Sequence, residues 1–240
     1  MGLQAVLHFL FPPQCLGCKA LVTSDFGLCP RCWADTPFIA GLVCDACGRP
    51  LPGADEGERC LCDDCLRTPR PWAQGRAAML YRDRARQLVL ALKHGDRMDI
   101  ARPAGKWLAQ AAAPILVADM IVAPVPLHWT RLFRRRYNQA ALMSAGLARQ
   151  TGLEHCPDLL TRRRATPSQD RRGRDARFLN LEQAITVTPR HASRIRGRAV
   201  LLVDDVMTSG ATLGAAAEAC TAAGARSVSV VVLARVAKEA

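Results

Sequence analysis

Four CxxC pairs stand within 51 residues: Cys15/Cys18, Cys29/Cys32, Cys44/Cys47 and Cys62/Cys65. This is the tightest constraint on what the chain can fold into. A CxxC turn sets two thiolates on one side of a short loop, and two such turns complete a tetrahedral sulfur site suited to zinc. Fourteen residues separate Cys47 from Cys62, close to zinc-ribbon spacing, and ten separate Cys18 from Cys29. Sequential pairing gives two four-cysteine sites. An interleaved pairing and a single filled site remain as alternatives, and Cys60 is a ninth thiol able to stand in for Cys62. Disulfides need an oxidising compartment, and a dithiol redox enzyme needs one CxxC rather than four. All ligands are sulfur and no position is open, so the metal is read as structural Zn²⁺. A stretch of roughly 55 residues with few large apolar side chains cannot bury enough surface to fold alone. Structural zinc, at about 10–16 kcal/mol of apparent binding energy, makes up the deficit.

Charge divides the chain where the cysteines do. Of 240 residues, half are apolar and 22% charged, which excludes a wholly disordered chain. The net charge of +12 is unevenly spread: residues 1–72 carry −2 and residues 73–240 carry +14. Two filled zinc sites, each at about −2, would bring the whole to roughly +8. The Pro-rich run Thr68–Trp72 marks the expected boundary, giving a zinc-ribbon module over 1–72 and a second domain over 73–240. Leu3, Val6, Leu7 and Leu10 follow helical spacing, so the start reads as a short amphipathic helix rather than a signal peptide. No apolar run reaches the ~20 residues of a membrane-spanning helix. The expected location is therefore cytoplasmic, without membrane insertion. Cys156 and Cys220 lack CxxC partners and read as small buried side chains.

The chemistry of the second domain shows in residues 198–234. Ala199 to Val203 is a continuous apolar run, as in a buried parallel strand. Thr212 to Ala223 is Ala-rich and helix-prone, Gly224 suits the position after a helix, and Ser227 to Leu233 is a second strand. The segment is a βαβ unit. Its first strand is expected to end at Asp204–Asp205, before a loop from Val206 to Ala211. Ligands of open α/β sheets bind at this end of the strands. Thr208, Ser209 and Thr212 bring hydroxyls, Gly210 allows close backbone approach, and the N–H groups opening the helix favour an anion. A phosphate on the loop with two carboxylates beside it meets the demands of a phosphorylated ribose, whose vicinal hydroxyls donate to Asp204 and Asp205.

Val200 to Thr212, VLLVDDVMTSGAT, closely resembles the phosphoribosyl pyrophosphate (PRPP) motif of type I phosphoribosyltransferases. Together with the four CxxC pairs it resembles the ComF family of competence-associated proteins, over nearly the whole chain. The resemblance implies an α/β fold: a type I phosphoribosyltransferase-like parallel sheet flanked by helices, behind a small Cys-rich double zinc ribbon. It implies a PRPP site of Asp204, Asp205, Thr208, Ser209, Gly210, Ala211 and Thr212, with Mg²⁺ held mainly by ligand oxygens. Leu92–Asp96 (LKHGD) resembles the family's early Lys-containing turn. Ile121–His128 resembles the loop that cradles pyrophosphate, implying roles for Pro124, Val125 and Pro126 and, beyond it, for Arg131, Arg135 and Arg136. Arg134–Ala140 (RRRYNQA) resembles an Arg-Gly-aromatic-Asn-Gln signature, with Arg136 where glycine is usual. Arg162–Gln169, with Arg177 and Asn180, resembles a basic segment of the family.

Residues 162–177 hold seven Arg and two Asp, and residues 131–136 hold four Arg. Arg binds phosphate bidentately. Trp129, Phe133, Tyr137 and Phe178 lie near these runs and are able to stack bases. Of the histidines only His128 is placed to meet a ligand; His94 and His191 form no site. Two functions follow. One is a binding protein that holds PRPP and single-stranded DNA during DNA uptake and docks a partner such as a DNA-translocating helicase. The other is an active phosphoribosyltransferase, with an unidentified nitrogen acceptor and no assigned catalytic residue.

Overall fold

A computed structural model describes residues 11–94, 97–127, 137–162 and 185–237. The expected N-terminal helix over 1–10 lies outside them. Along the chain come α1 (Pro30–Ala34), α2 (Asp63–Arg67), β1 (Gln74–Leu80), α3 (Asp83–His94), α4 (Ala101–Ala112), β2 (Ile121–Pro124), α5 (Gln139–Thr151), β3 (Glu154–His155), β4 (Leu160–Arg162), β5 (Ile185–Val187), α6 (Ala192–Ile195), β6 (Ala199–Met207), α7 (Ala211–Ala222) and β7 (Ser227–Arg235). Five strands form one sheet in the order β1-β7-β6-β2-β3, parallel throughout, while β4 and β5 pair as a small antiparallel ribbon. The parallel α/β architecture is the expected one.

The central strands are apolar on both faces because both faces are covered. Side chains alternate along β6. Ala199, Leu201 and Val203 join Leu88, Leu92, Leu108 and Leu147 of α3, α4 and α5 on one face. Val200 and Leu202 join Leu213, Ala217 and Cys220 of α7 on the other. The second face has a further contributor: Cys44, Cys47, Cys62 and Cys65 belong to the same core, together with Ala46 and Trp72. The Gly75 N–H donates to the Asp45 carbonyl at 2.6 Å, and a Cβ on Gly75 would come within 2.4 Å of the Ala46 oxygen. Only glycine allows β1 to lie this close to the cysteine turn.

Two boundaries differ from the sequence reading. Strand β6 runs through both aspartates to Met207, because its parallel register with β7 continues: Asp204 faces Val232, Val206 faces Ala234 and Met207 faces Arg235. The loop is thereby shortened to Thr208–Gly210. Helix α7 starts at Ala211, and Gly224 follows its end at φ +91°, as a residue closing a helix should.

Candidate functional site

The cysteines pair sequentially. The sulfurs of Cys15, Cys18, Cys29 and Cys32 lie within 4.8 Å of one another, and so do those of Cys44, Cys47, Cys62 and Cys65. Cys18 and Cys29 Sγ are 3.7 Å apart, and Cys47 and Cys62 Sγ are 3.8 Å apart. Ligands at Zn–S of ~2.3 Å in a tetrahedron stand ~3.8 Å from each other, whereas a disulfide needs ~2.05 Å. The donor sets therefore fit two structural zinc ions, which would tie the turns together and supply folding energy. Charge is unevenly divided within each set: Cys15, desolvated but with N–H donors on its sulfur, is lowered to about 6, and a hydrogen bond with Cys44 lowers Cys47. Burial pushes the Cys32 thiol up to about 12, and a hydrogen bond with Cys47 followed by burial pushes Cys44 up to about 12. Four thiolates cannot share so small a space without a cation. Cys60 is excluded from the second set: the Asp45 side chain accepts from its N–H at 2.9 Å and its carbonyl accepts from the Asp45 N–H at 2.8 Å, which fixes the backbone at Cys60 and leaves Cys62 as the ligand.

The second centre lies at the C-terminal ends of β6 and β2. Asp204 and Asp205 end in unlike surroundings. Asp205 Oδ1 meets Lys93 Nζ at 3.1 Å. The carboxyl of Asp204 is pushed up to about 7, first by loss of water around it and then by the charge of Asp205. Lys93 reaches the site from the last turn of α3, at the front of the LKHGD segment whose Gly95 and Asp96 fall outside the described residues. Past Met207 the chain turns at Gly210, which caps α7 with φ +85°. The Ser209 hydroxyl accepts from the Ala211 N–H at 3.4 Å, and Thr208 is exposed.

The β2 loop supports this centre from beside it. Pro124, Val125 and Pro126 are buried. The Val125 N–H donates to the Val203 carbonyl at 2.9 Å, one residue before Asp204. The prolines have no N–H, so these three residues form a floor rather than a set of donors. The signature after them proves to be a brace. Asn138 caps α5 by accepting from the Ala140 N–H at 3.0 Å and donates to the Val125 carbonyl at 3.2 Å. Tyr137 donates its hydroxyl proton to the Leu92 carbonyl at 3.1 Å, which ties α5 to the Lys93 turn. Tyr137 is half-buried, with its hydroxyl committed to that carbonyl. His128, Trp129, Arg131, Phe133, Arg134, Arg135 and Arg136 lie outside the described residues. So do residues 163–184, with Arg177, Phe178 and Asn180.

Two single residues have neighbours that the sequence did not show. Cys156 is buried in the apolar core, as expected, and so is Cys220; Cys156 also lies beside Asp158 and His191. The donor atoms of these three lie within 4.8 Å of one another. Pairing of β4 with β5 folds the 189–191 turn back onto the loop after β3. Asp158 Oδ1 lies 3.0 Å from His191 Nε2, Arg190 pairs with Asp158, and Arg194 Nη1 approaches Cys156 Sγ at 3.9 Å. With two guanidinium groups already on these acceptors, the cluster is an ion-paired clamp. Sequence reasoning also gave no role to Arg70, which donates to the Ser209 carbonyl at 2.7 Å from 139 residues away.

Residues 6–74 match the double zinc ribbon domain, and residues 110–240 match the phosphoribosyl transferase domain. The DNA utilization protein YhgH of Escherichia coli K12 is 30% identical over 231 residues, covering 93% of this chain and 97% of that one. Competence protein F of Haemophilus influenzae is 27% identical over 229 residues, covering 92% and 96%. Competence protein ComFC of Bacillus subtilis is 27% identical over 204 residues, covering 82% and 79%.

Proposed function

This chain belongs to the ComF family, with a double zinc ribbon before a phosphoribosyl transferase domain, and on that premise we propose that it binds PRPP with Mg²⁺ and acts on single-stranded DNA in DNA uptake or utilization. One observation carries the PRPP reading: two adjacent carboxylates stand near the C-terminal end of a buried parallel strand, two residues before a three-residue loop that turns through a left-handed glycine into a helix N-terminus. The 5′-phosphate sits on Thr208–Thr212, in the positive end of α7. The ribose 2′ and 3′ hydroxyls donate to Asp204 and Asp205. The pyrophosphate lies over the Pro124–Pro126 floor and is neutralised by Mg²⁺ and by the arginines at 131, 135 and 136. Lys93 exchanges Asp205 for the incoming anion, which frees that carboxylate for the ribose.

The DNA part rests on the names of the relatives and on charge. Among the described residues, a groove of about 620 Å³ beside α4 and α5 is lined by Met98, Arg102, Lys106, Leu142, Arg149 and Gln150. Cations over an apolar floor suit a single-stranded phosphate backbone with its bases turned in. A DNA-translocating helicase is the partner placed on the zinc ribbon, where Leu21, Trp33 and Leu66 are exposed.

A second reading is active transfer of the phosphoribosyl group from PRPP to a nitrogen acceptor, which would bond to C1 of the ribose held at the same site as pyrophosphate departs. Calorimetric titration of the zinc-loaded protein with PRPP and Mg²⁺, beside the Asp204→Asn/Asp205→Asn variant, tests the shared premise. Binding by the native chain and at least a tenfold loss in the variant are expected. No binding by the native chain would end both PRPP readings.

A further inference from the structure

We infer that Arg70 is the positioning residue of the phosphate loop, and that the second four-cysteine site holds Arg70 in place. The inference rests on reading Thr208–Thr212 as a phosphate cradle, and its first readout does not depend on that reading.

The Pro-rich run between zinc ribbon and sheet is built as a rigid arm. Pro69 and Pro71 flank Arg70, so the backbone is confined on both sides to extended conformations. The arm leaves α2, which carries Cys65. Arg70 Nε points at Cys65 Sγ at 3.5 Å, while Nη1 of the same planar group donates to the Ser209 carbonyl at 2.7 Å. The guanidinium also lies 5.8 Å from the centre of the Trp72 ring. That ring is fixed by its own donor: Trp72 Nε1–H reaches the carbonyl of Ala46, between Cys44 and Cys47, at 2.7 Å. Both cysteine turns of the second site therefore hold the parts that touch the loop.

These contacts determine which way the loop faces. A Cβ on Gly210 would meet the Trp72 ring at 3.0 Å and Arg70 Nη1 at 3.4 Å, so Trp72 and Arg70 form the wall behind the turn. Buried Arg235 grips the same loop one step earlier, donating to the Met207 carbonyl at 3.1 Å and the Thr208 carbonyl at 2.8 Å. In a trans peptide the N–H points opposite to the carbonyl. Arginines on the carbonyls of Thr208 and Ser209 thus turn the N–H groups of Ser209 and Gly210 away from the wall, toward the side where an anion would sit. The electrostatics require the cysteine site as well. Arg70 Nη2 is buried with no acceptor among the described residues. A metal-filled Cys₄ set carries about −2, and that charge stabilises the partly desolvated guanidinium.

Hydrogen exchange of the full-length, zinc-loaded protein tests this. In Arg70→Met, amides of the 207–213 segment should exchange at least tenfold faster, those of α4 and α5 should be unchanged, and zinc content should remain at the native level. Arg70→Lys keeps the charge but not the fork and should fall between. Cys65→Ser should loosen the same segment as Arg70→Met does. Unchanged exchange of the loop in Arg70→Met, or loosening spread equally over α4 and α5, overturns the inference. Titration with PRPP separates the two layers. If the native chain binds PRPP, Arg70→Met should bind it at least tenfold more weakly, and equal binding overturns the positioning role. If the native chain does not bind PRPP but the loop loosens as stated, the coupling stands and the phosphate reading fails.

Discussion

Replacing Asp204 by Asn should stabilise the protein, and by an amount that grows with pH. The Asp204 carboxyl moves from an ordinary 3.8 to about 7, with desolvation the larger cause and the Asp205 charge the next. Below pH 3.8 the folded and unfolded chains both keep the proton, and Asp204 costs nothing. Between 3.8 and about 7 the unfolded chain releases the proton while the folded chain retains it, so stability falls as pH rises; above about 7 the loss is complete. About three units at roughly 1.4 kcal/mol each set an upper bound of about 4 kcal/mol. At pH 5 less than half of this has accrued, so the advantage of Asp204→Asn should widen by about 2–3 kcal/mol between pH 5 and 8.5. Asn retains an oxygen that can accept from the Asp205 N–H, as Asp204 Oδ1 does at 2.8 Å, so the fold is not otherwise disturbed. Urea unfolding of both proteins at the two pH values, at fixed free zinc, gives the difference directly. A gap that does not change with pH, or a variant less stable than the native chain at pH 8.5, would refute the reasoning. The expected result would also identify Asp204 as a group kept at a cost to stability, which is the mark of a working site.

Three further outcomes follow. Gly210→Ala forces a side chain into φ +85° against Trp72 and should cost about 1–3 kcal/mol in thermal unfolding, with a matching loss of PRPP affinity by calorimetry. Native mass spectrometry should find two zinc ions in the native chain and in Cys60→Ser but one in Cys62→Ser, since the sulfur of Cys60 is not in the second donor set. Arg102→Glu/Lys106→Glu reverses two charges in the α4–α5 groove and should weaken single-stranded DNA binding and flatten its salt dependence by about 1.4 in log–log slope, measured by fluorescence anisotropy.

The site was readable wherever its chemistry is local in the chain. CxxC turns, an apolar strand running into Asp204–Asp205 and a Thr-Ser-Gly turn into a helix each occupy a few consecutive residues, and their meaning follows from donor type and spacing. The strand end was misplaced because Val206 and Met207 read as loop after two charges; pairing with Ala234 and Arg235, invisible in one segment alone, extends it. Lys93 on Asp205 and Arg70 on the Ser209 carbonyl were not legible as contacts. Each is one cation among thirty-three Lys and Arg, and only the sheet order β1-β7-β6 brings them to the end of β6. Tyr137 and Asn138 stood out as a motif, but their work as a brace between α3, the β2 loop and α5 needed the packed structure.

The two cysteine sites are chemically alike and structurally unequal. The first keeps Cys18 exposed and meets the sheet domain through Leu16, buried in the core of Met79 and Leu88, through a backbone bridge from Phe38 to Met79, and through Asp35 beside Arg84. The second is wholly buried and shares a core with β6, β7 and α7. Losing the first removes a local cross-link. Losing the second leaves four crowded thiols inside the face that carries the phosphate loop, with Arg70 deprived of its counter-charge and Trp72 of its anchor. A protein of this design cannot lose the second ion and keep the loop in order, because the same four sulfurs serve the core and the site.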